Sequence, residues 1–119
     1  MKLIRGSEKM EEDRGGYTRK VLLEHVFKQK DAIHSAWGAL VTIPPSGLAQ
    51  AHFHGNVTEI FYFLGAGIVG INEEQYKVNK GDLIIVEPNE AHWVKSGETS
   101  LQIIVFKFPN IPEDKTLVD

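Results

Sequence analysis

Three histidines and one glutamate stand at a spacing that is suited to metal chemistry. His52, His54 and Glu59 lie in one short block, and His92 closes a second block that opens at Gly81. Neutral imidazole suits Zn, Cu, Fe and Ni, and a carboxylate extends the possible ions to Mn. Four protein ligands on a six-coordinate ion leave two positions for water or substrate, which is typical of a catalytic site. We therefore predict that these four residues bind one divalent transition metal.

Local spacing explains how the first three ligands meet. Side chains two residues apart on a strand point to the same face, so His52 and His54 share a face and Phe53 points away. The pair Gly55–Asn56 is a strong turn signal, and a chain that reverses there brings Glu59 beside the two imidazoles. His92 must be delivered by the fold.

The competing interpretation is that these histidines are ordinary strand residues. A single strand histidine is more often hydrogen-bonded or at the surface than a ligand, and a His-x-His pair alone is weak evidence. The turn, Glu59 and the second block together favour ligation. His25 and His34 lie outside both blocks, and we interpret them as structural or exposed.

Short apolar segments separated by Gly, Pro and Asn must position the two blocks. Strands are predicted at residues 17–27, 36–43, 49–54, 57–64, 68–72, 75–78, 82–86, 91–94 and 100–108. Segment 17–27 alternates poorly, so a helix is the alternative there. Leu3–Ile4 predicts a short edge strand ahead of a charged loop, and the tail 110–119 has no core pattern. Strands spaced about 8–12 residues apart indicate an all-β sandwich or barrel, and a jelly-roll double sheet encloses a cavity.

Composition restricts the classes of partner. A chain of 119 residues predicts a single domain, 1–119, with its core at roughly 36–108. A net charge of −3 without a basic run argues against nucleic acid as a partner. The absence of cysteine excludes disulfides, thiolate metal sites and a cysteine nucleophile. No apolar stretch approaches ~20 residues and the charged N-terminus lacks a signal-peptide core, so we expect a cytoplasmic protein without a membrane partner.

The two blocks resemble the paired motifs of the cupin superfamily. The family's first motif runs Gly, five residues, His-x-His, three or four residues, Glu, six residues, Gly. Here Gly47 stands one residue closer than usual to the histidine pair, and Ala66 occupies the final glycine position. The second motif runs Gly, five residues, Pro-x-Gly, two residues, His, three residues, Asn. Gly81 opens it here, and His92 stands at the right distance.

The second motif departs from the family at positions that are not metal ligands. Glu87 replaces its proline, with Pro88 one place later, and Ser96 replaces its terminal asparagine. Asn89 replaces its glycine, and asparagine tolerates positive φ, so the turn is expected to survive. The resemblance covers roughly 36–108. It implies a small single-domain cupin, a double-stranded β-helix barrel with Mn, Fe, Ni, Zn or Cu inside, and a homodimer. Dimers of such cupins sometimes exchange their N-terminal strands, and Leu3–Ile4 is the candidate for such a strand here.

Residues two or four places from the ligands on the same strand are expected to share their face and to contact a small-molecule ligand. These are Gln50, Phe61, Phe63 and Val94, of which Gln50 is the polar candidate. The simpler interpretation of the three apolar residues is that they form barrel core. On the last strand, the sets Gln102, Ile104, Phe106 and Leu101, Ile103, Val105 face opposite ways, and the pattern leaves open which set points inward.

Two classes of function fit the predicted site. The first is a metal-dependent enzyme on a small organic molecule; dioxygenase-like chemistry is favoured because no acid–base partner is evident, and isomerase or decarboxylase chemistry is also compatible. The second is a non-catalytic small-molecule or sugar binding protein that uses the same cavity, with a metal that only braces the barrel. The catalytic residues and the substrate are not identified by the sequence.

Overall fold

Two antiparallel sheets build the molecule. The computed structural model describes residues 1–30 and 32–118. The strands are β1 (Glu12–Asp13), β2 (Thr18–Gln29), β3 (Ala32–Ile43), β4 (Leu48–Phe53), β5 (Thr58–Phe63), β6 (Gly67–Ile71), β7 (Glu74–Val78), β8 (Leu83–Val86), β9 (His92–Ser96), β10 (Leu101–Phe108) and β11 (Thr116–Leu117). Within the described ranges the helical content is one 3-10 turn at Gly6–Glu8. The predicted all-β fold is confirmed.

The sheets have the strand orders β1-β2-β3-β10-β5-β8 and β11-β4-β9-β6-β7. The first block of ligands is therefore divided, because β4 belongs to the smaller sheet and β5 to the larger one. The Gly55–Asn56 turn carries the chain from one sheet to the other. A ligand set drawn from both blocks consequently lies between the sheets, inside the barrel.

Apolar side chains between the sheets form the core. Alternation on β10 directs Leu101, Ile103 and Val105 inward, where they are 0–5% exposed. They pack with residues of both sheets, including Phe63 and Val69, which are fully buried. Burying a side chain of this size contributes about 1.5–3 kcal/mol. Both faces of β10 are rich in apolar residues, so the sequence left open which face points inward. The burial of Leu101, Ile103 and Val105 identifies the inner face.

One row of side chains crosses the larger sheet on its inner face. Lys107 of β10 is paired with Trp37 of β3 on one side and with Glu59 of β5 on the other, and Glu59 is paired in turn with Val86 of β8. Residues directly opposite one another in an antiparallel sheet share a face, with Cβ atoms about 4.5–5.5 Å apart. We call these four residues the Glu59 row. It places a lysine and a tryptophan next to a predicted metal ligand.

Two sequence predictions at the N-terminal end have different outcomes. Residues 18–29 form a strand, so the helix alternative is wrong. The edge strand predicted at Leu3–Ile4 is also wrong, because both residues are exposed and lie outside the strands of the described chain. The edge is formed by Glu12–Asp13 instead, which pair with the start of β2. Gly15, with a φ of 96°, closes this hairpin, so the residues immediately before the turn make the pairing.

The described residues contain no helix that is long and apolar enough to cross a membrane. Exchange of the N-terminal segment between two copies, and the homodimer itself, stay predictions.

Candidate metal centre

Strand pairing brings the two sequence blocks together directly. β4 pairs with β9 in the smaller sheet, and His52 lies directly opposite His92 in that pairing. His54 follows the end of β4, ahead of the turn, and Glu59 enters from β5 of the larger sheet. The histidine that the sequence could not place is therefore the cross-strand neighbour of the first one.

The four predicted ligands converge on one point. One ligand atom from each of them lies within 4.8 Å of all the others. Glu59 Oε1 is 3.9 Å from His52 Nε2 and 3.6 Å from His92 Nε2, and it also contacts His54 Nε2. The side chains of His54, Glu59 and His92 are at most 4% exposed, and that of His52 is 12% exposed. Two ligand atoms bonded at about 2.1 Å to one metal lie at most about 4.2 Å apart, and the distances of 3.9 and 3.6 Å from Glu59 Oε1 meet this limit.

Three polar atoms at this point have no hydrogen-bond partner although they are buried. They are His54 Nε2, His92 Nε2 and Glu59 Oε1, counted among the residues that the structure describes. Buried polar atoms are almost always hydrogen-bonded, and each unsatisfied one needs an explanation. Coordination of one cation would satisfy all three at once, and imidazole with carboxylate is a donor set that transition metals accept. The residues present therefore fit a metal.

Backbone carbonyls fix the orientation of all three imidazoles. His52 Nδ1 lies 2.8 Å from the carbonyl oxygen of Gln50, and His92 Nδ1 lies 3.0 Å from that of Glu90. His54 Nδ1 contacts the carbonyl oxygen of Asp114. Because a carbonyl oxygen can only accept, each Nδ1 carries the hydrogen and donates it. The lone pair is then on Nε2, which faces the centre, as in metal-binding histidines whose second nitrogen is held by an outer partner.

Electrostatics favour the ligating protonation states. Burial has the largest effect on His52 and lowers its pKa below the ordinary 6.5, against an opposing effect of Glu59. Burial alone would raise the pKa of Glu59, but its contacts with His52, His54 and His92 outweigh burial and hold the pKa well below the ordinary value. Glu59 is therefore ionised and His52 is neutral at neutral pH, which are the forms that bind a cation.

The C-terminal tail supports the centre, although its residues show no core pattern in the sequence. β11 pairs with β4, with Leu117 opposite His52. The Asp114 carboxylate accepts hydrogen bonds from the backbone N–H groups of Gly55 at 2.8 Å and Asn56 at 2.7 Å. These two donors hold the pKa of Asp114 below its ordinary 3.8, so the contact is complete above that pH and is lost only as the pH falls through the lower value. Asp114 thus ties the tail to the turn between His54 and Glu59.

A small cavity of about 50 Å³, open to solvent, lies beside the predicted ligands. Of the predicted contacts, Phe61 and Val94 line it, together with the ligands His52, Glu59 and His92. Phe63 shares their face but is fully buried in the core and lies outside the lining.

The prediction that Gln50 points toward the metal ligands is wrong, because β4 contains a bulge. Ala49 is paired with Val94 and His52 with His92, so two residues of β4 stand opposite the single residue Trp93 of β9. The extra residue reverses the alternation, so that Ala49 lines the cavity. The side chain of Gln50 is exposed and lies outside that lining. Its carbonyl oxygen supports the centre from outside, because it accepts the hydrogen bond from His52 Nδ1.

Several polar residues of the cavity were missed by sequence reasoning. Tyr17, Arg19, Lys107 and Lys115 all line it. Lys107 had a detectable signal, because it continues the two-residue spacing of the inward set on β10. Burial lowers the pKa of Lys107, and Glu59 opposes that effect. Arg19 and Lys115 come from elements whose placement the sequence did not resolve.

Comparison with known proteins agrees with this geometry. Residues 39–106 match the family model of the cupin domain. An uncharacterized protein of Methanocaldococcus jannaschii is 27% identical over 105 residues, which cover 86% of this chain and 80% of that relative. The fold is thus the predicted jelly roll, or double-stranded β-helix, of the cupins.

Solved structures share this fold over nearly their whole length. KdgF from Halomonas sp. has a TM-score of 0.81 at 17% identity, over 95% of this chain and 97% of its own. Pac13 of Streptomyces, described as a nucleoside dehydratase, has a TM-score of 0.76 at 21% identity, over 99% and 91%. At these identities the likeness establishes the fold alone.

Replacing Asp114 tests the support that the tail gives to the centre. In Asp114→Ala the N–H groups of Gly55 and Asn56 lose their acceptor, so their hydrogen exchange is expected to accelerate. Loss of an outer partner of a metal ligand usually lowers metal affinity about 10–100-fold, and we expect an effect in that range in a chelator-competition titration. The exposed neighbour in Glu113→Ala is the matched control. Equal zinc affinity in the two variants would contradict the role given to Asp114.

Proposed function

Because this chain belongs to the cupin domain family, we propose that it is a metal-dependent enzyme acting on a small organic molecule. One divalent transition metal (Mn, Fe, Ni, Zn or Cu) is held by His52, His54, Glu59 and His92. The proposal rests mainly on one observation: three buried polar atoms that lack hydrogen-bond partners lie together at one point among the described residues. Pac13, a structure of the same fold, is described as a nucleoside dehydratase, which supports a small-molecule reaction in such a barrel.

The side chains around the centre have separable tasks. The three histidines present Nε2 because their Nδ1 atoms are held by carbonyl oxygens, so no reorientation is needed on binding. A metal bound there would supply Lewis-acid or redox chemistry to an oxygen-bearing substrate. Phe61 and Val94 make part of the cavity wall apolar, which lowers the local dielectric constant and strengthens charge interactions beside that wall.

The cavity also contains groups that can move a proton. Tyr17 and Lys107 line it, a position that was not predicted from the sequence. The preference for dioxygenase-like chemistry rested on the lack of an acid–base partner. With these two groups present, isomerase or decarboxylase chemistry, in which a proton is moved on the substrate, is supported as well.

Elemental analysis of the purified, untagged protein tests the metal centre. We expect about one transition-metal ion per chain in the wild type and its loss in His52→Ala, because one of four ligands is removed. His34→Ala is the control, since that residue is exposed and outside the cluster. No bound metal in the wild type, even after reconstitution with each candidate ion, would overturn the proposal.

Turnover with and without oxygen separates the enzyme branches. For the metal-loaded protein incubated with a panel of small hydroxy and oxo acids, we expect product by mass spectrometry that requires His52, His54, Glu59 and His92. Product formed only in air, with matching oxygen uptake, identifies the dioxygenase branch, and product formed equally under argon identifies isomerase or decarboxylase chemistry. Ligands that bind and are recovered unchanged under both conditions would contradict the enzyme proposal and favour a binding protein.

A further inference from the structure

Three basic side chains line the same cavity as the metal ligands. They are Arg19, Lys107 and Lys115, and among the described lining residues Glu59 is the single carboxylate. We propose that the cavity selects a small organic molecule that carries a carboxylate, with Lys107 and Arg19 holding that carboxylate next to the metal centre and Lys115 at its edge. This inference rests on the proposed metal-dependent function and specifies its substrate class.

Lys107 is the residue on which the inference depends. It belongs to the Glu59 row, so its side chain starts beside a metal ligand on the inner face of the sheet. Its Nζ lies 4.5 Å from the centroid of the Trp37 ring, and among the described residues it makes no ion pair. Glu59, the nearest acid along the row, is engaged by the three imidazoles. A largely buried cation without its own partner is costly, and an anionic ligand would supply the partner.

Arg19 approaches the same tryptophan. Its Cζ lies 5.1 Å from the Trp37 ring centroid, so Trp37 orients two cations in one region of the cavity. Arg19 Nε donates to the Glu12 carboxylate at 3.1 Å, which fixes the plane of the guanidinium. The terminal nitrogens of a guanidinium form a planar fork that matches a carboxylate. Lys115 is exposed and follows Asp114, so the tail that supports His54 also brings a cation to the cavity.

The remaining lining favours a carboxylate over a neutral molecule or a phosphate. With Glu59 ionised and a divalent ion bound, the centre has a net positive charge, to which the three basic residues add. Arg19 is already paired with Glu12 and Lys115 is exposed, but a neutral ligand would leave the charge of Lys107 without a partner in a largely apolar cavity. Phosphate sites usually use a glycine-rich loop or a helix N-terminus, and none of the described lining residues is a glycine or belongs to a helix.

The position of Lys107 also orients such a ligand. Directly opposed residues of an antiparallel pair have Cβ atoms about 4.5–5.5 Å apart. Lys107, Glu59 and the imidazoles of His52 and His92 line the same cavity, so a ligand whose carboxylate pairs with Lys107 has its remaining atoms in the space that these residues share. The carboxylate end is recognised by lysine and arginine, and a second oxygen is free to approach the centre.

Matched ligand pairs test this inference. Glycolate, lactate, pyruvate and malonate would be titrated against glycolamide, lactamide, pyruvamide and malonamide by calorimetry, with inorganic phosphate as a further arm, using both metal-loaded and metal-free protein. We expect at least one carboxylate to bind about 10-fold tighter than its amide, since hydrogen bonds to charged groups are the stronger ones. Carboxylates that bind no tighter than their amides, or phosphate that binds tighter than every carboxylate, would overturn the inference.

Variants identify the residues responsible. Lys107→Met keeps an unbranched side chain as far as Cε and removes the charged terminal group. We expect the variant to lose about 10-fold in carboxylate affinity with no loss of metal. Lys107→Arg is expected to retain the preference, and Lys77→Met, an exposed lysine of β7, is the control. Lys115→Met provides a second test if Lys107→Met has a lowered melting temperature, and we expect it to reduce carboxylate affinity as well. Unchanged carboxylate affinity in a folded Lys107→Met protein would contradict the proposal.

Metal content measured on the same samples separates the two proposals. If the wild type takes up no metal but still prefers carboxylates through Lys107, the metal function fails and the carboxylate site stands. If metal is bound and carboxylates show no preference, the carboxylate site fails and the metal function stands.

Discussion

The burial of three imidazoles and a carboxylate inside an apolar barrel is the constraint on which the other features of the site depend. Glu59 is ionised, and the Nε2 lone pairs of His54 and His92 point at it and not at donors. Such an arrangement is unfavourable without a cation, because lone pairs then face one another in a medium of low dielectric. Once a cation is present, the same contacts become mutually stabilising. The fold therefore brings together groups that require a ligand of a defined charge.

Each surrounding element contributes to holding that arrangement. Pairing of β4 with β9 fixes the separation of His52 and His92, and pairing of β5 with β10 fixes Glu59 beside Lys107. Carbonyl oxygens from three different segments set the tautomers of the histidines. One of those segments is the tail, which is why a strand of two residues near the C-terminus matters to the centre. Positioning is distributed over both sheets, whereas the ligands come from two short blocks.

The sequence predicted what depends on local spacing and missed what depends on register. The spacing of His52, His54 and Glu59 and the intervening turn predicted side chains that the structure brings together in one buried cluster, and Asn89 adopts a φ of 70°, as the motif comparison required. Gln50 was placed on the wrong face because a bulge inserts one residue, and no residue type in β4 announces it. Lys107 and Arg19 are distant in sequence and meet at Trp37 only through strand order. Asp114 accepts hydrogen bonds from His54 through its backbone carbonyl and from the backbone N–H groups of Gly55 and Asn56 through its carboxylate. No sequence pattern indicates such a role.

Charge and cavity together define the surroundings of the centre. The predicted metal ligands and the basic residues near Trp37 line one cavity whose remaining lining is largely apolar, and Lys107 lies directly opposite Glu59 in the sheet. The proposed function depends on one metal ion among the four residues, and diffraction from a metal-reconstituted crystal at that metal's absorption edge would locate the ion. We expect one anomalous peak per chain, about 2.0–2.2 Å from Nε2 of His52, His54 and His92 and from a carboxylate oxygen of Glu59, as the proposed site requires. A peak elsewhere, or coordination through Nδ1 of any of the three, would contradict it.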